Sequence, residues 1–100
     1  TVAGLPGNVP AEIYRDIASL YMMAGEQWKA EQALRKGIAT RPDDYNFLLQ
    51  IAAIQLEAGE TNRAAATLEE AVDVGGEQAQ DEIEKMPQFK ELRAKETTAF

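Results

Sequence analysis

The chain repeats itself after 34 residues: Ile17-Ala18 returns as Ile51-Ala52, Ala24-Gly25-Glu26 as Ala58-Gly59-Glu60, Ala30 as Ala64 and Leu34 as Leu68. Other pairs keep only their character, among them Leu20/Ile54, Lys29/Arg63 and Ile38/Val72. A fixed period of this length belongs to a helix-turn-helix unit that stacks on its own copies, because one unit alone cannot cover its apolar face. The expected fold class is therefore all-α. Its core is expected between successive units as much as within each one.

The local signals place the elements. Thr1–Pro10 has two glycines, two prolines and no helical period, and reads as a linker or N-terminal arm over 1–10. Pro10 suits a helix start, since its missing N–H would be unpaired there. A first helix is expected over Ala11–Ala24, with Ile13, Tyr14, Ile17, Leu20 and Tyr21 on one stripe and Gly25 as its stop. A second, over Gln27–Thr40, places Ala30, Ala33, Leu34 and Ile38 inward and ends before Pro42, with Asp43 or Asp44 capping the next helix. The short connection makes the two antiparallel neighbours, crossing at the small Ala18 and Ala30. The second unit repeats the plan: Tyr45–Ala58 with Phe47, Leu48, Ile51 and Ile54 inward, then Thr61–Val74 with Thr61 as N-cap and Ala64, Leu68, Ala71 and Val72 inward. Gly75-Gly76 reads as a stop. A fifth helix over Glu77–Met86 docks Ala79, Ile83 and Met86, Pro87 interrupts it, and Gln88–Lys95 forms a short further helix with Phe89 and Leu92 before a frayed Glu96–Phe100. The units are 11–44 and 45–78, followed by a capping helix and tail over 79–100.

Composition narrows the chemistry. There is no cysteine, so neither disulfides nor thiolate metal sites arise, and there is no histidine, the commonest general base and nitrogen ligand. The lack of cysteine fits a cytosolic protein and leaves other compartments open, a periplasmic one included. No apolar run approaches the roughly 20 residues that span a bilayer. The net charge is −7, and residues 45–78 carry six acidic side chains against Arg63 alone. Polyanion binding needs clustered Lys and Arg, so nucleic acid and anionic membrane are not the expected partners.

These residues resemble the tetratricopeptide pattern. Tyr14, Ile17, Ala18, Tyr21, Gly25, Ala30, Leu34 and Pro42 of the first unit stand where that family places its signature types, as do Leu48, Ile51, Ala52, Gly59, Ala64, Leu68 and Ala71 of the second. The likeness covers Ala11 to about Gln78. It implies two tandem tetratricopeptide-type helix hairpins plus a C-terminal capping helix in a right-handed α-α superhelix. Three positions depart from the pattern. Gly37 replaces an alanine, at a cost of about 1 kcal/mol inside a helix. Gln55 stands where the first unit has Tyr21, and Gly76 where it has Pro42. Two units and a cap make a small domain, so a longer parent array or self-association is expected to support it.

No catalytic constellation emerges. Asp43-Asp44, Glu69-Glu70 and Asp81-Glu82 are adjacent carboxylates, but helix neighbours point in different directions and a calcium loop needs oxygens at alternating positions. Trp28, early in the second helix, is expected to pack against its partner helix. No Ser, Lys or Tyr has an evident base and orienting group beside it, so neither an enzyme nor a cofactor is expected. What remains is surface. The resemblance implies that the first helix of each unit lines a concave side, presenting Glu12, Arg15, Ser19, Met22 and Met23, then Asn46, Leu49, Ala53 and Leu56. Leu49 and Ala53 cannot hydrogen-bond a carboxylate terminus, whereas Met22, Met23, Leu49 and Leu56 make an adaptable apolar strip suited to a peptide or helix of a protein partner. The same strip would instead be closed if the Leu5-Pro6 arm, another repeat or a second copy lay on it.

Overall fold

The computed structural model describes residues 10–97, with side chains described through Leu92. Residues 1–9 of the expected arm, Leu5-Pro6 included, and residues 98–100 of the expected tail lie outside the described residues. Five helices succeed one another: α1 (Ala11–Met23), α2 (Gln27–Thr40), α3 (Asn46–Glu57), α4 (Thr61–Glu84) and α5 (Pro87–Thr97), with no strand among the described residues. The helices pack in chain order, α1 on α2, α3 on α4, the two pairs meeting through α2 and α3, and α5 on α4. The result is an elongated body of 48 × 28 × 19 Å.

The repeated Ala-Gly-Glu closes α1 and α3 in the same way. Gly25 and Gly59 take φ of +76° and +80°, where a Cβ would be strained against its own backbone. The N–H of Glu26 then reaches the Tyr21 carbonyl at 2.8 Å and that of Gly25 reaches Met22 at 3.0 Å; Glu60 to Gln55 at 2.9 Å and Gly59 to Leu56 at 3.0 Å repeat the pair. This double bond back to the last turn satisfies carbonyls the helix end would leave unpaired. It also sets the N-cap of α4, which starts at Thr61 as expected. The expected cap, Thr61, is already helical, and Glu60 is the N-cap because the turn leaves its backbone non-helical. At α3 the N-cap is Tyr45, with no capping side chain; Asp44, one of the two expected caps, stands one residue earlier, its Oδ1 accepting the Asn46 N–H at 3.0 Å in a local turn.

The Gly75-Gly76 stop is observed. Gly76, at φ 58°, ψ −137°, a conformation open essentially to glycine, breaks the helical backbone, so α4 is two helical segments joined at a kink, and the segment over 77–84 is the expected fifth helix, ending two residues before Met86. The chain thus turns in one residue and lays Ala79 and Ile83 onto the core. α5 begins at Pro87, which suits a first helical position, and runs to Thr97, two residues into the segment expected to fray.

α3 is the centre. Phe47, Ile51 and Ile54 join Ala18, Ala30, Ala33 and Leu34 of the first hairpin, while Leu48, Leu49 and Ala52 join Leu68, Ala71, Ile83, Phe89 and Leu92. A helix buried from two sides is apolar nearly all round, as α3 is. α1 differs from its expected stripe. Ala11 and Ala18 are buried and Tyr14, Ile17 and Tyr21 half-buried, but Ile13 and Leu20 are exposed. Trp28, expected against a partner helix, is 63% exposed with the Arg63 guanidinium 6.0 Å from its ring centroid.

Candidate functional site

Asn46, Leu49, Gln50 and Ala53 lie on one face of α3, three and four residues apart, and line a groove of about 320 Å³. Arg15 of α1 lines it from one side, and Met86 of the α4–α5 turn with Gln88 and Phe89 of α5 from the other. The kink at Gly76 makes this arrangement, since it returns the chain toward α3.

Of the nine residues expected on the concave side, Arg15, Asn46, Leu49 and Ala53 meet in this groove. Leu49, only 5% exposed and part of the second core cluster, is structural as well as lining. The other five lie outside the lining: Glu12, Ser19 and Met23 are exposed, Met22 packs half-buried against the first cluster, and Leu56 packs half-buried against the second. Gln50, Met86, Gln88 and Phe89 join the lining without a sequence signal that placed them there. The apolar spacing of Ile83, Met86, Phe89 and Leu92 signals docking, but the direction of the turn after Gly76 is not readable from it.

Two residues of the lining each bury one polar atom with no hydrogen-bond partner among the described residues, Arg15 Nε and Gln50 Oε1. One is a donor and the other an acceptor. Leaving such an atom unpaired costs about 1–3 kcal/mol. The Arg15 guanidinium lies over the Phe47 ring, 4.9 Å from the centroid, so a cation covers the junction of the two hairpins.

A second polar cluster locks the hairpins together. Glu31 of α2 is buried, accepting at Oε1 from Gln55 Nε2 (3.2 Å) and Arg63 Nη2 (3.0 Å) and at Oε2 from Gln27 Nε2 (3.0 Å). Thr67 Oγ1 donates to Gln55 Oε1 at 2.7 Å. Gln55, a departure from the first unit's Tyr21, is therefore the partner of a buried carboxylate. In the first unit the equivalent of Arg63 is Lys29, 3.1 Å from Glu26 and above the Tyr21 ring. The hydrogen bond and charge of Glu26 hold the Lys29 ammonium above its ordinary value of 10.5.

Among the described residues no group of three or more His, Cys, Asp or Glu side chains is gathered for a metal ion. No helix there is long and apolar enough to cross a membrane. The class these observations define is an all-α protein of successively packed helices, with an open groove at the centre. No protein-family model matches the chain, and comparison with curated proteins finds no significant match.

Proposed function

We propose that this chain is a non-catalytic protein-interaction module of the tetratricopeptide kind, a right-handed helical stack that docks a segment of a partner protein in the α1/α3/α5 groove. The observation that carries this reading is the pairing of an apolar floor, Leu49, Ala53 and Phe89, with the polar side chains of Arg15, Asn46, Gln50 and Gln88 in the same lining. An extended peptide can offer backbone carbonyls and N–H groups to such polar side chains while its own side chains reach the floor. A helix uses those backbone groups internally and would need a polar side chain at the same place. The groove therefore favours an extended segment.

The test is a pull-down from native extract, read by mass spectrometry, with wild type and Ala53→Glu in parallel. Ala53 is half-buried on a helix face, and glutamate is a good helix former, so melting should change little. A partner retained by wild type and lost with Ala53→Glu at unchanged melting supports the groove, because a charge placed in a desolvated contact weakens it strongly. Equal capture by both removes the reading. Leu49→Glu is unsuitable here, since Leu49 belongs to the core. The alternative is a structural or self-association domain within a larger assembly. It has one observation in its favour, the exposed apolar side chains of α1, and sedimentation over a concentration series tests it.

A further inference from the structure

The internal repeat gives the outer face of α1 an internal control. Residues of α3 that the first hairpin buries have mates 34 positions earlier on α1. Phe47 is 1% exposed and its mate Ile13 38%; Ile54 is 8% exposed and its mate Leu20 65%. Leu48, Ile51 and Gln55 are buried, whereas Tyr14, Ile17 and Tyr21 are half-buried and line a groove of about 190 Å³ with Lys29 and Lys36. Among the described residues the same apolar surface thus occurs twice and is covered once. Helix α2 is what covers the second occurrence.

The charges at the covered interface state what the uncovered one requires. Glu31 of α2 meets Arg63 at 3.0 Å, and the mate of Arg63 is Lys29, of the same sign. Arg35 of α2 meets Glu70 at 3.3 Å, but the mate of Glu70 is Lys36, of opposite sign. We infer that the α1/α2 face, carrying Ile13, Ile17 and Leu20 between Lys29 and Lys36, docks an amphipathic helix of a separate partner protein, with apolar residues on one edge and carboxylates one turn apart. The second copy of this chain is a poor occupant. Its α2 is already seated on α3 and would set Arg35 against Lys36, and its α4 is covered by α5. This surface is separate from the peptide groove, which contains none of these residues.

The test uses the intact chain and two stapled helical peptides: the α2 sequence Gln27–Thr40, and the same peptide with Arg35→Glu. By fluorescence polarisation the Arg35→Glu peptide should bind, and the unmodified peptide about tenfold more weakly, as reversing one interfacial charge pair predicts. Lys36→Glu in the protein should invert that preference. Leu20→Glu should weaken both peptides by about tenfold or more. Lys36 and Leu20 are both exposed, and circular dichroism checks that each variant folds as wild type. Binding indifferent to Lys36→Glu and Leu20→Glu would mean that the peptides displace α2 from α3, and the proposal fails. Absence of binding by either peptide overturns it as well. So does a dimer of the free chain, seen by sedimentation and abolished by Leu20→Glu, which would make the occupant a second copy.

Discussion

Gly37→Ala should destabilise this protein, against the ordinary expectation for a helix interior. By propensity alone the change stabilises by about 1 kcal/mol. Here a Cβ at Gly37 would stand 2.5 Å from Phe47 Cε1, 2.8 Å from Cζ and 2.9 Å from Cδ1. The ring has little room to retreat: Phe47 is fully buried at the junction of the hairpins, and Arg15 lies across it. Overpacking of this kind costs about 1–3 kcal/mol. Subtracting the propensity gain leaves a net loss of up to about 2 kcal/mol, a fall in Tm of roughly 4–8 °C per kcal/mol for a domain of this size. Urea unfolding followed by far-UV circular dichroism measures it, and the partner experiment is Phe47→Leu. Leucine is smaller and shorter, so Gly37→Ala should be tolerated in that background, with a coupling of about 1 kcal/mol or more in the double-mutant cycle. A rise in Tm for Gly37→Ala in the wild-type background would show that the ring does not lie on Gly37. The packing of α2 against α3 would then differ from the one given above.

The same geometry sets three further outcomes. Glu31→Ala removes the shared acceptor of Gln27, Gln55 and Arg63 and should cost about 2–3 kcal/mol in urea unfolding, with Glu31→Gln costing less because it keeps an acceptor. Gly76→Ala forces a side chain into φ 58°, ψ −137° and should lower stability by about 1–3 kcal/mol, whereas Gln78→Ala, exposed two residues on, should change it little. In an NMR titration the Lys29 ammonium should lose its proton above 10.5, and Glu26→Gln should bring it down. Because the folded value is the raised one, the Lys29–Glu26 contribution is complete below the unfolded value and disappears as pH rises through the folded one.

The sequence by itself determined the helical class, the bounds of α2 and the paired glycine turns after α1 and α3. These are local facts. A left-handed glycine and an apolar spacing of three and four act within one or two turns of chain, wherever the rest lies, and the period of 34 repeats the same local signals. Helix geometry alone aligns Asn46, Leu49 and Ala53 on one side; that Arg15 of α1 faces them is what the tetratricopeptide resemblance implied. Tertiary structure decided the remainder. Leu20 and Ile54 are repeat mates of equal character, yet one is exposed and the other buried, because only α3 has a hairpin in front of it. Glu31 looks like an outward acid until Gln55 and Arg63, more than twenty residues away in sequence, arrive as its partners. Gly37 looks like a defect until the Phe47 ring occupies the space that a Cβ would need. The groove itself depends on which way the chain leaves Gly76. Glycine permits that turn without specifying its direction, and the choice is made by Ile83, Phe89 and Leu92 finding the apolar side of α3 and α4.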